Sequence, residues 1–193
     1  MKKIILVSSL FSALILTSGL NADDKTTAVV VGIQTSFGGA TQTFSNQTNT
    51  TDYDFTLNGY KLLVGSDVDL FGIGETSRFY GSYKYSTLGT ESMNTFGIGY
   101  MENMTYLSFY EEGEQAIYPF TGLELGYGSV SDFGGINTQV DLGIAYKYEN
   151  MELTLAYTYN YTNLGETAGK SAVYMNSNQA TFGFNYKFMS EGK

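Results

Sequence analysis

The feature that most constrains this chain is alternation. From Met151 it reads Met-Glu-Leu-Thr-Leu-Ala-Tyr-Thr-Tyr-Asn-Tyr. Met151, Leu153, Leu155, Tyr157, Tyr159 and Tyr161 therefore share one face of an extended strand, and Glu152, Thr154, Ala156, Thr158 and Asn160 share the other. A helix would scatter both sets around its circumference, whereas a strand separates them. The pattern returns at 181–188, where Phe182, Phe184, Tyr186 and Phe188 oppose Thr181, Gly183, Asn185 and Lys187. It returns again at 140–148, where Val140, Leu142, Ile144, Tyr146 and Tyr148 oppose Asp141, Gly143, Ala145 and Lys147. Weaker copies occupy 27–37, 78–86, 93–101 and 119–127. The stretch 52–65 is extended as well, but Tyr53, Phe55 and Leu57 lie in one phase and Tyr60, Leu62 and Val64 in the other. A β-bulge near Asn58-Gly59 is expected to reconcile them. The expected total is eight strands.

Which face meets which solvent follows from size. One face of each strand is a band of Leu, Val, Ile, Tyr and Phe; the other is Gly, Ala, Thr, Ser and Asn with isolated charges. A soluble sandwich points its large apolar residues inward. An eight-stranded barrel has an interior too narrow for bulky residues from every strand. Small and polar residues suit that interior, and the broad apolar face suits lipid. Aromatics gather toward strand ends, as in interfacial girdles, and closure satisfies every backbone donor that lipid cannot. The expected fold is all-β: an eight-stranded antiparallel up-and-down transmembrane β-barrel.

The charges keep to the same phase. Arg78, Lys84, Glu124, Asp141, Lys147 and Glu152 all oppose the large apolar residues. A Lys or Arg facing lipid at mid-bilayer costs roughly 2–4 kcal/mol, so these side chains are expected in the lumen. Glu124, between Gly122 and Gly126, has room to reach Arg78 or Lys84, and Lys61 is a further candidate. Mutual neutralisation as a structural plug is the favoured role, with a charge-gated narrow pore as the alternative; a buried ion pair is weak evidence for stability in either case.

The ends carry their own signals. Lys2 and Lys3 precede an apolar run from Ile4 to Leu20, and Asn21-Ala22 offers a cleavage point before Asp23. That is the layout of a secretory signal peptide over 1–22, with the barrel domain over 23–193. Removal leaves 171 residues carrying 8 Lys and Arg against 19 Asp and Glu, a net charge of −11. With both termini in the periplasm, connections at 38–51, 88–91, 129–135 and 162–177 face outward. Those at 66–76, 102–116 and 148–151 face inward. The segment 104–110 is expected to extend a strand or to form a short amphipathic helix.

Composition removes most chemistry. There is no Cys and no His in 193 residues, hence no disulfide, no thiol catalysis, and neither the commonest neutral-pH base nor the commonest metal ligand. The acidic balance argues against nucleic acid. Asp67-Val-Asp69 with Gly72 lacks most of a calcium loop, and Gly72-Ile-Gly74 lacks the rest of a phosphate loop. No cofactor is expected.

The signal-like start, Tyr118-Pro-Phe-Thr-Gly-Leu-Glu-Leu-Gly-Tyr-Gly128, Gly59-Tyr-Lys-Leu-Leu-Val-Gly65 and the closing Phe182-Gly-Phe-Asn-Tyr-Lys-Phe188 resemble small bacterial outer-membrane barrels of the OmpA-transmembrane and OmpX type. The resemblance covers the whole mature chain at the level of pattern. It implies residence in the cell outer membrane as a monomer, with membrane lipid and lipopolysaccharide as surroundings. It also implies recognition by the barrel-assembly machinery through Phe182, Phe184, Tyr186 and Phe188, although Met189 to Lys193 follow where the family pattern ends. The enzymes of similar architecture (lipid A palmitoyltransferases, lipid A deacylases and omptin proteases) use a His-containing site, so no enzymatic activity is expected. The expected function is a structural or surface-interaction role through outward loops, which could meet a host or surface ligand. The alternatives are a narrow pore for ions or small solutes, and a periplasmic or secreted ligand-binding barrel.

Overall fold

The computed structural model describes residues 28–45, 50–68, 77–131, 133–165 and 172–189. The signal segment at 1–22, Asp69 and the Gly72–Gly74 run lie outside them. The strands are β1 (Ala28–Ser45), β2 (Thr50–Val68), β3 (Ser77–Leu88), β4 (Glu91–Asn103), β5 (Tyr110–Glu112), β6 (Gln115–Val130), β7 (Phe133–Tyr148), β8 (Met151–Asn163) and β9 (Ala172–Met189). All neighbours are antiparallel. β1 pairs with both β2 and β9, and β4 pairs with both β3 and β6, so eight strands close into a barrel. β5 pairs only with β6, through Tyr110↔Ile117 to Glu112↔Gln115, and hangs below the ring. The segment 104–110 is thus neither a full strand nor an amphipathic helix: it holds one 3-10 turn, Thr105–Leu107, and then enters β5. The barrel count stays even.

The stagger of the barrel can be read from its ladder. From Val30 the paired residues are Gly65, Tyr80, Gly99, Glu124, Gln139, Asn160 and Ser177, returning to β1 at Ala40, ten residues further along. For eight strands that shear tilts each strand by roughly 40°. It also decides which inward residues share a level.

Alternation sets the faces as expected. Val29, Val31 and Ile33 are exposed while Val30, Gly32 and Gln34 are buried. The whole of β8 repeats exposed, buried, exposed without a break. The exterior carries an apolar belt of Leu, Ile, Val, Phe and Tyr. Its phenols find partners toward both ends: Tyr83 donates to Asn94 at 2.6 Å, Tyr157 to Asn178 at 2.5 Å and Tyr159 to Asn176 at 3.1 Å, and at the end bearing the termini Tyr146 donates to Gln115 at 3.2 Å. A belt with a polar-capped aromatic rim is what a bilayer selects. The barrel is a membrane-spanning one.

Two expectations need correction. No bulge interrupts β2: its register with β1 runs one-to-one from Thr50↔Ser45 to Asp67↔Ala28. Tyr53, Phe55 and Leu57 keep the inward phase, and only Leu57 is deep enough to be buried by the barrel. The outward connections are also shorter than expected, because β1 and β2 run to Ser45 and Thr50 and β9 begins at Ala172. Residues 38–45, 50–51, 162–163 and 172–177 are therefore strand. Since β3 stops at Leu88, paired with Leu57, Thr50 to Thr56 of β2 have no strand on that side among the described residues. One wall of the barrel, β2–β1–β9, stands taller than the rest.

Candidate functional site

The inward residues stack in four levels. At the end bearing the termini lies a charged layer. Arg78, on β3, sits between two carboxylates: its Nε donates to Asp67 Oδ1 at 2.6 Å, and its Nη1 donates to Glu152 Oε1 at 2.7 Å. Nη2 donates to the second oxygen of each at 3.3 Å. The planar guanidinium fork is suited to this doubly bidentate arrangement. Glu152 accepts two more bonds, from Tyr118 Oη and Asn185 Nδ2, both at 2.7 Å. Lys187 Nζ approaches Asp67 Oδ2 at 3.3 Å. A pocket of about 50 Å³ opens here, lined by Asp67, Arg78, Tyr118, Glu152 and Lys187 among others.

Next comes an apolar layer of Val30, Leu63, Tyr80, Met101, Phe120, Ala145 and Ala156. The Tyr80 ring packs against β4 where that strand offers a glycine: a Cβ at Gly99 would collide with the ring.

The third layer is polar. Lys61 Nζ meets Glu124 Oε2 at 2.6 Å with both side chains buried. The contact joins opposite charges away from water. Here too a glycine makes room, because a Cβ at Gly97 would come within 2.6 Å of Glu124 Oε1. Lys61 also lies over the Tyr80 ring, 5.2 Å from its centroid. Lys84 is directly opposite Lys61 in the β2–β3 ladder and donates to Gln179 Oε1 at 2.9 Å. Asp141 accepts from Gln139 at 2.8 Å and from Thr158 at 2.5 Å.

The fourth layer closes the far end. Ala40, Leu57, Leu88, Met93, Val130, Leu164, Val173 and Met175 form a second buried apolar cluster, with Phe44 and Phe133 packed against it.

Of the residues expected in the lumen, Lys61, Arg78, Lys84, Glu124, Asp141 and Glu152 are buried there. Lys147 is not: it stands exposed at the rim, opposite Glu152 in the ladder. Of the three partners expected for Glu124, it meets Lys61 and neither Lys84, which donates to Gln179, nor Arg78, which belongs to the terminal layer one apolar layer away. Asp67, Tyr118 and Lys187 complete that layer and were not read from the sequence as members of it. Their phase was the available signal: Asp67 is an even step from Lys61 along β2. On the exterior, Phe182, Phe184, Tyr186 and Phe188 all face outward from β9. Among the described residues no group of three or more acidic side chains could hold a metal ion.

No protein-family model matches the chain, and no curated protein matches it. Among solved structures it is similar to Neisserial surface protein A, at 17% identity over 82% of this chain and 97% of that one, with a TM-score of 0.48. It is similar to the outer membrane enzyme PagL, at 15% identity over 79% and 97%, with a TM-score of 0.45. It is similar also to Ail, the attachment invasion locus protein of Yersinia pestis, at 13% identity over 81% and 98%, with a TM-score of 0.35. At such identities no activity passes from one protein to another; the barrel assignment rests on the closed ladder and the inverted burial of this chain.

Proposed function

We propose that this chain is a closed outer-membrane barrel that acts structurally and through the wall it raises above the membrane, not by transport or catalysis. The observation that carries this reading is the filled lumen: two apolar layers enclose the polar one, and the charged groups are held by partners across the barrel. A carboxylate held against Lys61, or shared between Arg78, Tyr118 and Asn185, is not poised as a base or nucleophile. The tall wall supports the surface role. Its outer part carries Asp52 and Asp54, which accept from Thr43 at 2.7 Å and Thr41 at 2.8 Å, and among the described residues the edge of β2 from Thr50 to Thr56 away from β1 is unpaired, which suits addition of an extended segment. Orientation follows from the termini, which belong on the periplasmic side, so this wall faces outward.

The test is planar-bilayer conductance on protein whose barrel has been verified by a gel shift between unheated and boiled samples. The closed barrel passes no steady current, and Glu124→Gln leaves that silence unchanged. Steady current altered by Glu124→Gln would establish the narrow pore instead.

A further inference from the structure

Inner connections of small membrane barrels are short turns, and 148–151 is one. The segment between β4 and β6 is not. Both its ends are stitched to β6, by Met104 N–H to the Pro119 carbonyl at 3.0 Å and Phe109 N–H to the Ile117 carbonyl at 2.7 Å. Between them the chain makes the 3-10 turn, closed by Leu107 N–H to the Met104 carbonyl at 2.9 Å. The side chains on this excursion are large and bare: Tyr106 is 62% exposed, Leu107 51% and Phe109 70%, the highest value for any large apolar residue described.

We propose that this segment is an interfacial foot, which inserts the side chains of Tyr106, Leu107, Phe109 and Tyr110 among the phospholipid headgroups of the leaflet on the side of the termini. Continuity with the lipid-facing belt argues for that partner. Tyr110 pairs with Ile117, Ile117 with Tyr146 and Tyr146 with Leu153, so its side chain extends an exterior row that already meets lipid. Charge is segregated along the segment as an interface requires. The aromatic base is followed by an acidic tip, Glu111, Glu112 and Glu114, which is exposed and remains in water. Tyrosine and phenylalanine at headgroup depth keep the ring in a less polar zone without burying it in hydrocarbon. The foot lies at β6, four strands from β1 in either direction around the ring. It therefore deepens the belt on the side opposite the tall wall and fixes the height and lean of the barrel.

The chain has no tryptophan, so Phe109→Trp reports on one site without background. The full chain is reconstituted into phosphatidylcholine vesicles carrying bromine either close to the glycerol or near the acyl-chain ends. Leu155→Trp marks the belt and Glu114→Trp the water-facing tip, and each variant is first shown to be heat-modifiable. The foot predicts a blue shift of Phe109→Trp emission relative to Glu114→Trp and a loss of iodide quenching. It also predicts stronger quenching by the shallow-brominated lipid than by the deep one, with the reverse order for Leu155→Trp. Emission as red and as iodide-sensitive as Glu114→Trp, untouched by either brominated lipid, would overturn the proposal and make the segment a docking surface in water. Strongest quenching by the deep bromines would overturn it as well, placing Phe109 in the hydrocarbon.

Discussion

At the residue scale, the lumen works by partner choice. Lys61 and Lys84 face one another across two strands, an arrangement that like charges disfavour, and Glu124 offsets it by approaching Lys61 from the far side of β3 and β4. Removing that carboxylate's charge leaves an ammonium buried beside another. Glu124→Gln is expected to destabilise the barrel by about 3–5 kcal/mol, read as a lowered urea midpoint for unfolding from lipid vesicles. Adding Lys61→Met should recover most of the loss, because the pair is then replaced by matched neutral groups. A double variant no more stable than the single one would mean that Glu124 acts through some other contact. Alternation alone placed these residues inside. It could not say that Glu124 reaches Lys61 and not Arg78, because that depends on the shear of ten residues, and shear is a property of the closed ring that no single strand carries.

At the element scale, β2 is where local reading and global closure part company. Its aromatic residues change phase between Leu57 and Tyr60, which in a strand confined to the bilayer demands a bulge. The strand is not so confined. It runs past the barrel rim, and above Leu57 the inward phase no longer points at a crowded lumen but at the open space over the outer apolar layer, where Phe55 and Tyr53 are tolerated. Strand identity was therefore legible in the sequence, whereas the phase of β2 and the strand lengths were not: a ladder continues as long as its neighbour does, and β1 and β9 continue. The continuous register makes a sharp prediction. Deleting Asn58 alone shifts every residue on one side of it by one step, so that either Lys61 and its neighbours or the upper wall must turn over. Facing Lys61 to lipid costs roughly 2–4 kcal/mol, and Tyr60 and Leu62 would crowd the lumen. The deletion should abolish the heat-dependent gel shift. A strand with a bulge at that point would instead absorb the deletion and still form the barrel.

At the scale of the whole molecule, the question is what keeps the lumen closed. Ion pairs are the obvious candidate but the weaker one. The middle layer is rich in groups that water can serve, including the hydroxyls of Ser86 and Thr95, which have no hydrogen-bond partner among the described residues, and a polar space with several such groups accommodates ordered water. The apolar layers offer water nothing. Leu57, Leu88, Met93 and Met175 close the outer end, and Leu63, Tyr80, Met101 and Phe120 close the inner one, with the tilted strands bringing residues from nearly every strand to each level. Two barriers in series give a definite expectation for current. Opening the outer layer alone, with Leu57→Ser and Met93→Ser, should leave the barrel silent. Opening the inner layer alone, with Met101→Ala and Phe120→Ala, should do the same. Combining the four substitutions should give steady conductance in planar bilayers, whereas Glu124→Gln on the intact barrel gives none. If instead neutralising Glu124 opened the barrel while the fourfold variant, verified as folded by its gel shift, stayed closed, the seal would lie in the charges and the apolar layers would be packing alone.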